Sequence, residues 1–86
     1  MANIKLLFFA GLREQLGTAH EDFDLPAGVS TVGALRALLI ARGGAWRSAL
    51  AENRAVRVAV NQDMAKAATP VKAGDEVAFF PPVTGG

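Results

Sequence analysis

One stretch of this chain, Val32 to Arg42, carries a helical apolar stripe long enough to cover a sheet, while five others read as strands. A single helix can shield only one face of a sheet. The chain must therefore either leave the second face open or cover it with short elements. Val32, Leu35, Leu38 and Leu39 form the stripe, with Ser30 or Thr31 as the N-cap and Arg42 and Gly43 as the stop. Ile4, Leu6 and Phe8 alternate in a first strand from Asn3 to Phe9. Phe23 and Leu25 point inward from a second strand, Glu21 to Leu25. Val56, Val58 and Val60 mark a third, Met64 to Ala67 a short edge strand, and Val77 to Phe80 the last. Ala10 to Leu16 and the Trp46–Leu50 pair read as two short helices. The order is an α+β pattern. The first and last strands are apolar on both faces, which predicts that they lie side by side, in parallel, at the centre of a mixed sheet.

Strand parity then sorts the residues. If Ile4, Leu6, Phe8, Val56, Val58, Val60, Val77 and Phe79 face the main helix, Leu7, Phe9, Ala59, Ala78 and Phe80 face the other way. That set, extended by Met64, has the composition of an interaction surface. The last strand runs into Pro81-Pro82 and then Val83-Thr84-Gly85-Gly86. Proline fixes φ near roughly −65° and cannot join a ladder, so the chain is expected to leave a 1–80 domain as a stiff 81–86 tail. The glycines make its tip thin and present one unhindered carboxylate, on Gly86.

Composition excludes more than it assigns. With 86 residues, 51% hydrophobic and 20% charged, the chain has the makeup of one small globular domain. A net charge of +1 with scattered Lys and Arg offers no basic patch, so neither nucleic acid nor a membrane surface is expected as a partner. The apolar run from Val32 to Ala41 is interrupted by Arg36 and is too short to span a bilayer. The N-terminal residues lack a secretory pattern, so the cytoplasm is the expected location. There is no cysteine, which excludes thiol nucleophiles, disulfides and Cys-ligated metal. His20 has no second ligand at suitable spacing and reads as a solvated surface residue; no metal site is expected. Asp22, Asp24, Asp75 and Glu76 read as turn and surface carboxylates. Gly43-Gly44 lacks the lysine and hydroxyl of a phosphate loop. No self-contained active site emerges, and the chain is not expected to be an enzyme on its own.

The segment Gly74-Asp75-Glu76-Val77-Ala78-Phe79-Phe80-Pro81-Pro82-Val83-Thr84-Gly85-Gly86 closely resembles the C-terminus of the small subunits of molybdopterin synthase, the MoaD family. Lys5 to Ala10, Arg13-Glu14 and Val60-Asn61-Gln62 match the same pattern. The resemblance spans nearly the whole chain, with 43–54 as a variable segment. It implies a ubiquitin-like β-grasp fold: about five strands packed on one main helix, with a protruding C-terminal tail.

The resemblance also implies a chemistry. An E1-like adenylyltransferase, using ATP, adenylates Gly86, and a sulfur donor protein converts it to a thiocarboxylate. The large subunit then receives the tail, with Val83, Thr84 and Gly85 in its channel, and the sulfur passes to cyclic pyranopterin monophosphate to build the molybdopterin dithiolene. The catalytic groups lie on that partner, and two small and two large subunits are expected to assemble. No cofactor is bound by this chain. Phe9, Met64 and Phe80 are the candidates for partner docking, mainly on strand parity. Carriers for thiazole synthesis, tRNA thiolation or cysteine synthesis share the ending, as do ubiquitin-like protein modifiers. The Phe-Pro-Pro-Val-Thr lead-in argues against the thiazole carriers.

Overall fold

The computed structural model of the chain describes residues 2–82. In chain order it contains β1 (Asn3–Phe8), α1 (Ala10–Leu16), β2 (His20–Asp24), α2 (Val32–Ile40), α3 (Gly44–Leu50), β3 (Arg57–Val60), β4 (Asp63–Ala65) and β5 (Glu76–Phe80). The strands form one mixed sheet in the order β2-β1-β5-β3-β4. The first and last strands are central and parallel, Leu6 beside Val77 and Phe8 beside Phe79, as their two-sided apolarity predicts. The other pairings are antiparallel. A parallel neighbour needs a long crossover, and here nearly the whole chain serves as one.

Ile4, Leu6, Phe8, Val58, Val77 and Phe79 are buried against Val32, Leu35 and Leu39 of α2. Thr31 provides the N-cap, its Oγ1 accepting from the amide of Ala34 at 3.2 Å. The helix stops two residues before the expected Arg42, because the amides of Arg42 and Gly43 bond to the carbonyls of Leu39 and Ile40 and tighten the last turn. Gly43, at φ 76° and ψ −171°, then starts α3 in a conformation that a side chain would resist.

Arg42 has a larger role than ending a helix. Its guanidinium makes a two-pronged contact with Glu21 of β2, at 2.9 and 2.5 Å, and lies 4.4 Å above the Trp46 ring and 5.5 Å from that of Phe23. The hydrogen bond holds the Glu21 carboxyl below its ordinary range and raises Arg42, while partial burial opposes both. Trp46 in turn meets Phe8 edge-on at 5.3 Å. It therefore packs, partly buried, against the main core. The end of α2, α3 and the edge strand β2 are tied together by one side chain.

A second polar link lies at the opposite end of the sheet. Asn61 and Gln62 both have positive φ, 51° and 71°, in the turn between β3 and β4. Asn61 Nδ2 donates to Asp75 Oδ1 at 3.0 Å, its Oδ1 accepts from the amide of Glu76 at 3.0 Å, and its own amide bonds to the Glu76 carbonyl at 2.8 Å. The amide of Lys72 donates to Asp75 Oδ2 at 2.9 Å. Asp75, expected at the surface, is only 6% exposed. Burial is tolerable because both carboxylate oxygens are satisfied by donors and Lys72 Nζ lies 3.6 Å away. The remaining departures are boundary shifts: β2 runs from His20 rather than Glu21, β3 begins at Arg57 rather than Val56, and β4 covers Asp63–Ala65 rather than reaching Ala67. The latter strand ends early because Ala67 turns to accept from the amide of Gly33 at 2.8 Å.

Leu39 is fully buried. Leu39→Ala should cost about 2–5 kcal/mol, read as a lower urea midpoint at unchanged m-value. Asp75 gives a pH test. The Asn61 hydrogen bond is the main cause of its lowered pKa, opposed by burial and assisted by the Lys72 amide and charge. A folded pKa depressed below the unfolded value of about 3.9 contributes stability above that pH and loses it as pH falls through the folded value. Asp75→Asn should therefore cost about 1–3 kcal/mol near neutrality, with the gap to the wild type closing below about pH 4 in calorimetric unfolding.

Candidate functional site

All three helices pack on the same side of the sheet: Leu12 of α1 and Leu50 of α3 join the core that contains Leu35, Phe8 and Phe79. Among the described residues no helix crosses the other face. Cross-strand register lines up Leu7, Ala78, Ala59 and Met64 in one row over β1, β5, β3 and β4. Phe80 stands opposite Arg57 in the next row, and the Phe9 amide donates to the Phe79 carbonyl at 3.1 Å, bringing Phe9 alongside Phe80. The third row, Asp22, Lys5 and Glu76, is charged. The open face is thus apolar toward the end where β5 delivers the tail and charged toward the other end.

Within this face Phe9 is 47% exposed and Met64 59%, whereas Phe80 is half-buried. Ala59 and Ala78, at the centre, are buried. Phe9 departs slightly from expectation: β1 ends at Phe8, and Phe9 is the extended N-cap of α1 at φ −122° and ψ 155°. The next residue, Ala10, has φ 53°, a left-handed conformation that costs a non-glycine residue about 1–2 kcal/mol. That turn breaks the strand so that Phe9 remains on the open face while α1 returns to the helix side. No sequence signal marked Ala10, since alanine carries no preference for positive φ.

Pro81 and Pro82 follow Phe80 directly and are half-buried at the edge of this face. The predicted tail residues Val83, Thr84, Gly85 and Gly86 lie outside the described residues. The described part of the chain thus brings Phe9, Phe80 and Met64 onto one apolar face at the base of the tail. Among the described residues no group of three or more His, Cys, Asp or Glu could hold a metal ion, and no helix is long and apolar enough to cross a membrane.

The family model described as "ThiS family" matches residues 6–86, from β1 to the terminal glycine. The chain belongs to the ThiS family. Among relatives, it is 46% identical over 83 residues to the molybdopterin synthase sulfur carrier subunit of Escherichia coli, an alignment covering 96% of this chain and 99% of that one. Among solved structures, SAMP1 (small archaeal modifier protein 1) from Haloferax volcanii superimposes with a TM-score of 0.79 at 30% identity, covering 98% and 99% of the two chains. Subunit 1 or 2 in a complex of molybdopterin-converting factor from Helicobacter pylori matches with a TM-score of 0.67 at 22% identity, covering 98% and 99%. These likenesses bear out the ubiquitin-like β-grasp architecture, and the sequence relative bears out the resemblance to molybdopterin synthase small subunits. Neither speaks to individual residues of the open face.

Because Phe9 and Met64 contribute little to the core, Phe9→Ser and Met64→Ser should each stay within about 0.5 kcal/mol of the wild type in urea unfolding. A loss above 2 kcal/mol, on the order of a core truncation, would show that the face is part of the folding core.

Proposed function

We propose that this ThiS-family chain is the sulfur carrier subunit of a molybdopterin synthase. The observation that carries the reading is 46% identity with the Escherichia coli sulfur carrier over 96% of this chain. The exposed apolar face beside the base of the tail supports it. The working atom is the terminal carboxylate of Gly86. A carboxylate is a poor acyl donor, so it must first be activated. An E1-like partner transfers adenylate from ATP to it, with pyrophosphate leaving. A sulfur donor protein then supplies sulfur, AMP leaves, and the terminus becomes a thiocarboxylate. The large subunit takes up the tail and directs that sulfur to cyclic pyranopterin monophosphate, two transfers completing the dithiolene.

The division of labour follows from chemistry. This chain has no thiol, and its described residues offer no acid–base pair positioned for catalysis, so the groups that act on the pterin belong to the large subunit. Phe9, Phe80 and Met64 form the docking face, and Val83, Thr84 and Gly85 occupy the partner's channel. Six residues beyond Phe80 span at most roughly 20 Å, enough to reach a buried site while the domain remains outside. Pro81 and Pro82 reduce the freedom lost when the tail is inserted. Two small and two large subunits make up the working assembly, in the cytoplasm, without nucleic acid or membrane as a partner.

A second reading, protein modification through an isopeptide bond from Gly86, is favoured by the likeness to SAMP1. The products separate the two. Incubated with its activating enzyme, ATP and sulfur donor, the chain should gain the mass that replaces one oxygen by sulfur. A chain lacking Gly86 should bind the large subunit yet form no molybdopterin, because a terminal residue contributes little to packing. Dithiolene formation by the truncated chain with purified partners would overturn the carrier reading; isopeptide conjugates without a thiocarboxylate would establish the modifier.

A further inference from the structure

A groove of about 290 Å³ opens at the β4 edge of the sheet, between the start of α2 and the short strand β4. It exists because β4 has only three residues and the chain then turns to cross the first turn of α2. Gly33 permits that crossing: a Cβ there would come within 3.2 Å of both Cβ and O of Ala67. Val32, Val56, Val58, Met64 and Ala65 line the apolar part of the groove. Arg36, Arg57 and Lys66 supply its polar part, and no acidic side chain lines it.

The three cations lack counter-charges. The Arg36 guanidinium is fixed by neutral acceptors, Nε donating to the Leu50 carbonyl at 2.8 Å and Nη2 to those of Ala51 and Arg54 at 2.8 and 3.0 Å. The two ion pairs among the described residues are Arg42–Glu21 and Lys72–Asp75, so neither involves Arg57 or Lys66. The end of α2 is not the source of the positive field. Its first amides are taken by the Thr69 and Ala67 carbonyls and the Thr31 hydroxyl. The groove is flanked by the outer edge of β4, which has no neighbouring strand. An unpaired edge can accept an extended chain, with alternate side chains read by adjacent pockets.

We propose that this groove binds an acidic, extended segment of a partner protein. The segment pairs along β4 and seats a branched apolar side chain on Val32, Val58 and Ala65, while its alternate carboxylates turn toward Arg57 and Lys66. Charge complementarity selects an acidic occupant, and the apolar lining beside an open strand edge selects a peptide over a small anion. The groove lies at the β4 edge and shares Met64 with the open face, and its occupancy does not depend on sulfur chemistry at Gly86.

The test uses the full chain labelled with 15N and, as probe, an end-blocked hexapeptide of alternating aspartate and valine. Saturable amide shifts are expected at Val58, Met64, Ala65 and Lys66, weakening as salt is raised. The double variant Arg57→Glu/Lys66→Glu should lose at least about tenfold in affinity, equivalent to about 1.4 kcal/mol, with its urea midpoint unchanged. Arg36 is left intact because it also ties down three carbonyls. A chain lacking Gly86 should bind the probe as the full chain does, which separates this inference from the carrier reading. Three results would each overturn it: no saturable shift at millimolar peptide, shifts confined to the Phe9–Phe80 face, or equal binding of the corresponding lysine–valine peptide. Citrate displacing the probe and shifting the same amides with equal affinity would also overturn it, as a small-anion site.

Discussion

The parallel pairing of β1 with β5 organises the rest of this small fold. It brings the two ends of the described chain to the middle of the sheet, so every other element must be accommodated in the crossover between them. Phe8 and Phe79, neighbours in that pairing, stack with ring centroids 5.8 Å apart at the centre of the core. The same register sets their outward neighbours, Phe9 and Phe80, side by side where the tail departs. Core packing and the exposed apolar face are therefore two sides of one strand pair. A one-residue slip would exchange them and put both functions at risk.

Two polar clusters complete what the apolar core leaves unspecified. Arg42 joins β2, α2 and α3 through one guanidinium, engaged by a carboxylate and two aromatic faces. Asn61 and Asp75 join the β3–β4 turn to the start of β5. These clusters lie at sheet positions where hydrophobic burial alone does not fix the geometry: an edge strand in the first case, a tight positive-φ turn in the second. Asn61 and Asp75 belonged to the segments that resembled the molybdopterin synthase small subunits. The structure gives them a positioning part, since they hold the beginning of the strand that ends in the tail. They do not meet the apolar face.

The open face and the groove differ in chemistry, although Met64 borders both. The first is broad, apolar and adjacent to the tail; the second is narrow, cationic and beside an unpaired strand edge. The two surfaces discriminate between partners by different physical means. Apolar burial supplies affinity that is insensitive to salt, whereas uncompensated cations supply selection that salt weakens.

Much of this architecture could be read directly along the chain. Alternation in Ile4-Leu6-Phe8 and Val77-Phe79, and the stripe Val32-Leu35-Leu38-Leu39, define the strands, the main helix and their inward faces, because side-chain period is a local property; of the stripe, Leu38 alone stays half-buried outside the core. Two-sided apolarity placed the first and last strands at the centre, since an exposed edge would leave part of each in water. The terminal glycines and the preceding prolines are the basis for the proposal that the chemistry resides at Gly86. What required the third dimension were the contacts between distant residues. Asp75 looks like a surface carboxylate until Asn61, fourteen positions earlier, satisfies it in a buried site. Arg42 looks like a helix stop until Glu21 approaches it from another strand, and Arg36, Arg57 and Lys66 look scattered until the crossing at Gly33 gathers them around one groove. Local periodicity encodes which way a residue faces; only the closed sheet decides whom it meets.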